Sequence, residues 1–166
     1  MSTTSRTFIP RMLRFELPAD GKNPAKRCDV MVLFGLHCFT RGLRPGEAVD
    51  PTSIYPDSYE TRIFDVNRYE HSLRLLEVIQ SLPSKKPHHN GSRGNFFVVE
   101  ITAKDGQTVE YNVFFKVKKV AKGQLELFVE SAFVRDPGYN STRPKGKPVR
   151  FWVILHNTLS GKKIRA

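Results

Sequence analysis

Three apolar segments, 95–103 "NFFVVEITA", 108–120 "TVEYNVFFKVKKV" and 124–136 "QLELFVESAFVRD", are separated only by "KDGQ" and a turn around "AKGQ". Asp-Gly and a second glycine supply the positive backbone angles that tight hairpins demand. Connections this short force antiparallel neighbours, because a parallel return needs a crossover of roughly a dozen residues. A fourth apolar run, 149–159 "VRFWVILHNTL", is expected to complete a four-stranded meander.

Period-two alternation assigns the faces of these strands. Val109, Tyr111, Val113, Phe115 and Val117 point inward, leaving Glu110, Asn112, Phe114, Lys116 and Lys118 outside. The next strand turns Leu125, Leu127, Val129 and Phe133 in, and Glu126, Phe128, Glu130, Ala132 and Val134 out. The last turns Phe151, Val153 and Leu155 in, and Arg150, Trp152, Ile154 and His156 out.

Upstream, 7–17 and 28–41 read as a β-hairpin joined by the turn-rich "PADGKNPAKR". Both parities of "CDVMVLFGLHCFTR" are apolar, which places that strand inside a sheet. Residues 42–61 carry three prolines and two glycines and read as a loop. A helix over 65–82 follows, with Asp65 as N-cap, Val66, Tyr69, Leu73, Leu76 and Ile79 on its core face, and Pro83 as its stop. The expected architecture is α+β: one main helix packed on an antiparallel four-stranded meander, extended or covered by the N-terminal hairpin. All 166 residues form a single domain: hairpin 7–41, loop 42–61, helix 65–82, sheet 95–159 and basic tail 160–166.

Charge separates the function classes. The chain has 27 Lys+Arg against 16 Asp+Glu, a net charge of +11. From Asp136 onward that residue is the only acid, against Arg143, Lys145, Lys147, Arg150, Lys162, Lys163 and Arg165. A second cluster, Lys85, Lys86, His88, His89 and Arg93, lies in a Pro/Gly/Ser-rich loop. Such clusters attract polyanions by neutralising phosphates and releasing counterions, so nucleic acid is the expected partner. No run approaches the roughly 20 apolar residues of a membrane span, and "MSTTSRTFIPRML" lacks a signal-peptide core, so the chain is expected in the cytoplasm without a membrane partner. Cys28 and Cys38 lie too far apart on one strand to bridge, and read as small buried residues. GxxxxGKS/T, GxGxxG, HExxH and CxxC are all absent, which argues against the common nucleotide-hydrolysing, dinucleotide and zinc motifs; neither metal nor cofactor is expected.

The outer face of the predicted meander interleaves Phe114, Phe128 and Trp152 with Lys116, Lys118, Glu126, Glu130, Arg150 and His156. Bases stack on such aromatics, and metal-free RNA cleavage needs a base, an acid and fixed positive charge. Glu130 and His156 are candidates for the first two roles, and Lys116, Arg135 or Arg150 for the third. A second candidate is "GLHCFTR" at 35–41, where His37 and Arg41 share one side of the strand as proton-transfer group and phosphate anchor. Lys85, Lys86, His88, Arg93, Lys116, Lys118, Arg143, Lys145, Lys147, Arg150 and Trp152 are the expected nucleic-acid contacts.

Element order and residue chemistry over about residues 65–159 resemble the RelE-like and barnase-like metal-independent ribonucleases, many of them bacterial or phage toxins. In barnase-like members a strand glutamate is the base, a late histidine the acid, and arginines hold the phosphate. Glu130, His156 and Arg135 or Arg150 stand at the matching places. The resemblance implies a toxin-type endoribonuclease held by an acidic antitoxin or inhibitor protein. The alternative is a non-catalytic basic protein, phage-borne or from a mobile element, that grips nucleic acid or a nucleoprotein defence complex (an anti-CRISPR-like role) through the loops at 84–94 and 140–150.

Overall fold

The protein is described from a computed structural model covering residues 9–91, 94–135 and 145–165. β1 (Arg11–Leu17) and β2 (Lys26–His37) form the expected N-terminal hairpin, in register from Arg11↔Val32 to Leu17↔Lys26. β7 (Asn95–Thr102), β8 (Thr108–Ala121) and β9 (Gln124–Val134) form the expected antiparallel run.

Hairpin and meander merge into one sheet because β2 pairs with β9 in parallel, from Asp29↔Gln124 to His37↔Ser131. Two short strands, β6 (His88–His89) and β10 (Lys147–Pro148), extend the other edge, giving the order β1-β2-β9-β8-β7-β6-β10. This seven-stranded mixed sheet replaces the expected four-stranded meander. A strand apolar on both parities needs neighbours on both edges, and β2 has them in β1 and β9.

Residues 149–159 are not the fourth meander strand. From Phe151 to Leu159 they form α3, with Phe151, Ile154 and Leu155 buried at helical spacing. An apolar run this short satisfies both periods, and Phe151 decides it by packing edge-on against Phe15 at 5.1 Å and Phe115 at 6.4 Å. The expected long helix is two short ones, α1 (Val66–Ser72) and α2 (Leu75–Gln80). Their buried residues are Ser72, Leu75, Val78 and Ile79, while Val66 and Leu73, expected in the core, are 56% and 51% exposed. The turn at Leu73 and Arg74 interrupts the helix, so the apolar stripe does not run on from one half into the other. Together with Leu82, α2 and α3 cover the inner face of the large sheet over Val30, Val32, Val113, Phe115, Leu125, Leu127 and Val129.

Glu130 is a β-bulge. Phe115 pairs with Val129 and Phe114 with Ser131, leaving Glu130 opposite nothing on β8. One extra residue reverses the alternation beyond it. Ala132 is therefore buried and Phe133 lies outside, the reverse of a strict two-residue period.

The stretch "GLHCFTR" is a corner between two sheets. The amides of Cys38 and Phe39 donate to the carbonyls of Gly35 and Leu36, and the chain turns into β3 (Thr40–Gly42). β3 joins a second, three-stranded sheet in the order β3-β5-β4, with β4 (Ile54–Pro56) and β5 (Thr61–Phe64). The expected loop at 42–61 thus carries a strand of its own, β4. Among the described residues no helix is long and apolar enough to cross a membrane.

Candidate functional site

Two places concentrate chemistry. The first is the corner after β2. His37 Nε2 lies 2.9 Å from Asp57 Oδ2, with the two side chains 38% and 21% exposed. Beneath them three arginines fix the backbone. Arg68 Nη1 donates to the carbonyls of His37 at 3.1 Å and Thr40 at 2.8 Å. Arg62 donates to the Thr40 hydroxyl and carbonyl and to Glu60. Arg41 binds Glu47 with both terminal nitrogens and Asp65 Oδ2 through Nε at 3.2 Å. Arg68 is positioned by α1, whose N-cap Asp65 accepts the Arg68 amide at 2.8 Å.

These contacts set the local electrostatics. The guanidinium of Arg41 and the Arg44 amide hold the Glu47 carboxyl down at about 2. Hydrogen bonds from His37 and the Ser58 amide hold Asp57 below the ordinary carboxylate range. Burial lowers the pKa of Arg68. It also pushes the Cys38 thiol up to about 12, so Cys38 is an inert core group whose Sγ faces the Val129 carbonyl. Arg41, expected as a phosphate anchor, is paired with Glu47 and Asp65. The ligand atoms of His37, Asp57 and Glu60 lie within 4.8 Å of one another, a set able to hold a metal ion.

The second place is the far edge of the large sheet. β10 pairs with β6 as Lys147↔His89 and Pro148↔His88, and the Val149 amide donates to the Pro87 carbonyl at 2.8 Å. The two basic segments, distant in the chain, thereby become one edge. Lys85, Lys86, Lys145, Lys147 and Arg150 are all exposed there. Neither 78–99 nor 145–165 contains an aspartate or glutamate. Arg150 is also the N-cap of α3, so the positive end of that helix adds to the same edge. Arg93 and Arg143 lie outside the described residues.

Residues 6–159 match the family model of the YjaZ family. The chain belongs to the YjaZ family. It is 31% identical over 147 residues to Protein YjaZ of Escherichia coli (strain K12), covering 87% of this chain and 78% of that protein. No solved structure matches it. The span shared with the YjaZ family contains both the His37 corner and the β6–β10 edge.

From the basic edge a row of rings crosses the outer face of the large sheet. His88 stacks on Phe96 at 5.1 Å, Phe96 on Phe114 at 5.9 Å, and Phe114 on Phe133 at 5.8 Å. Arg68 closes the row with its guanidinium carbon 4.9 Å from the Phe133 centroid.

The remaining expected residues divide between the two sides of the sheet. Lys116 pairs with Glu130 at 2.8 Å and Lys118 with Glu126 at 2.9 Å, beside a hollow of about 620 Å³ lined also by Leu33 and Phe128. Arg14 with Asp29 and Arg27 with Glu16 pair similarly, so these outer-face cations have carboxylates beside them. Arg135, at the end of β9, donates its amide to the Glu110 carbonyl at 3.3 Å. His156 and Trp152 sit on α3, against the inner face, where they line a separate hollow of about 440 Å³ with Asp20 and Lys22. His156 is 6% exposed, and among the described residues its Nε2 has no hydrogen-bond partner. Glu130 and His156 are therefore on opposite sides of the sheet and do not form the expected acid–base pair.

Sequence reasoning missed Glu47, Asp57 and Glu60, which fall in the Pro-rich stretch read as a loop, and Arg62 just beyond it. Only Arg62 left a trace: it stands in a short β-forming run, Thr61–Phe64, with Ile63 and Phe64 beside it.

Proposed function

We propose that the protein binds nucleic acid, single-stranded RNA in the first instance, along the edge built by β6 and β10, without cleaving it. One observation carries this reading: the β6–β10 ladder joins two lysine-rich segments into an edge whose described strands and flanks contain no carboxylate. Elsewhere on the outer face of the sheet lysines and arginines have acidic neighbours, whereas this edge gathers Lys85, Lys86, Lys145 and Arg150 from segments that hold no carboxylate, which draws a polyanion to it. The row His88–Phe96–Phe114–Phe133 offers an aromatic surface beside it. An RNA-cleaving mechanism by Glu130 and His156 gains no support from their placement, and Arg41 is engaged by Glu47 and Asp65.

The test is fluorescence anisotropy with a labelled single-stranded RNA of mixed sequence, read across a salt series. Binding should weaken steeply with salt, with a log–log slope of about −0.7 per phosphate neutralised. The variant carrying Lys85→Gln, Lys86→Gln, Lys145→Gln and Lys147→Gln should bind at least tenfold more weakly, with a shallower slope. Equal binding by that variant, or no binding at low salt, overturns the proposal. The same RNA run on a denaturing gel should remain intact; cleavage abolished by His37→Ala would replace binding with catalysis.

A further inference from the structure

We propose that His37, Asp57 and Glu60 form a binding site for one divalent transition-metal ion, with zinc as the test case. The site is separate from the basic edge and independent of the nucleic-acid reading. It rests on convergence from three segments: the end of β2, the turn after β4 and the residue preceding β5. Their ligand atoms lie within 4.8 Å of one another. Ligands at about 2.0–2.2 Å from a zinc ion require only a modest contraction from that spacing.

Each carboxylate has one oxygen held from behind and a second one remaining. Asp57 Oδ1 accepts the Ser58 amide at 2.6 Å, while Oδ2 meets His37. Glu60 Oε1 accepts from Arg62, while Oε2 extends over Gly42. A Cβ at residue 42 would come 3.1 Å from that oxygen, so glycine there leaves the carboxylate room. The backbone of His37 is fixed by Arg68. These are the supporting contacts that orient ligands at metal centres.

One imidazole with two carboxylates suits a borderline cation such as zinc better than magnesium, which prefers oxygen alone. Three protein ligands at a half-exposed position leave coordination places for water or a phosphate oxygen, as at sites that exchange ligands. The sequence carried no metal motif because its three ligands are spaced 37, 57 and 60 and only folding brings them together.

The experiment is calorimetric titration of the full chain with zinc chloride, with magnesium chloride in parallel. One equivalent of zinc should bind and magnesium should not. His37→Ala, Asp57→Asn and Glu60→Gln should each weaken zinc binding at least tenfold, with far-UV circular dichroism confirming the fold. Glu60→Gln, at a side chain 48% exposed, decides the matter if the His37 variant fails to fold. The double variant His88→Ala, His89→Ala should retain the site. Absence of stoichiometric zinc in the wild type overturns the proposal. So does zinc binding that survives the three substitutions or disappears with His88 and His89.

Discussion

Arg62 donates from Nε to the Thr40 hydroxyl at 3.2 Å and from Nη2 to the Thr40 carbonyl at 2.6 Å. The guanidinium is 7% exposed and its remaining partner is Glu60, so β5 reaches the corner through a charge that water hardly touches. Arg62→Ala leaves the Thr40 carbonyl and hydroxyl and the Glu60 carboxylate without this donor. The expected cost is about 3–5 kcal/mol, measured by urea denaturation. Thr40→Val removes only the hydroxyl contacts, to Arg62 and to the Leu36 carbonyl, and should cost about 1 kcal/mol. Equal effects of the two variants would contradict this ordering.

Acid should loosen the same corner through Glu47. Its carboxyl is at about 2 in the folded protein, against an ordinary value of 4.5. The folded pKa is the lower one, so between these values the unfolded chain binds more protons and stability rises with pH. The contribution is fully present above 4.5 and disappears as pH falls towards 2. Glu47→Gln should therefore be less stable than wild type at pH 6, with the gap narrowing as pH falls, read from denaturation midpoints over the series.

Gly35 is fixed by space. A Cβ there would stand 2.9 Å from the Phe128 ring and 3.0 and 3.1 Å from the carbonyl oxygens of Glu130 and Val129. Two of these neighbours are backbone atoms of the adjacent strand and cannot swing away. Gly35→Ala should destabilise by about 1–3 kcal/mol, lowering Tm by roughly 2–4 °C per kcal/mol. An unchanged Tm would show that β2 and β9 separate more readily than their pairing implies.

Both cysteines should resist alkylation in the native state. Cys28 and Cys38 are buried to 1% and 0% exposure, and burial raises both thiols. Iodoacetamide at pH 8 should label neither until denaturant is added, then both, as counted by mass. Rapid native labelling of Cys38 would contradict its burial.

The strands β7, β8 and β9 were legible because glycine turns and alternating side chains are local signals. The two basic segments were legible as composition, but their meeting was not, since β6 and β10 are two residues each and their pairing is a tertiary event. Phe151, Val153 and Leu155 read as strand because an isolated apolar run satisfies both periods; contacts with Phe15 and Phe115 select the helix. The bulge at Glu130 misled the face assignment of Ala132 and Phe133, for one unpaired residue leaves no compositional mark. His37 was legible as a polar residue ending an apolar strand, whereas Asp57 and Glu60 needed the corner to bring them to it.

The parallel pairing of β2 with β9 also governs the order of assembly. During translation Val30 and Val32 leave the ribosome long before Leu125 and Leu127, their neighbours across the ladder. Until β9 emerges, the nascent hairpin holds an unpaired edge on an apolar strand, open to chaperones and to other chains. A ribosome stalled before Gln124 would therefore carry a sticky intermediate, and the native core closes only once both β9 and α3 have emerged.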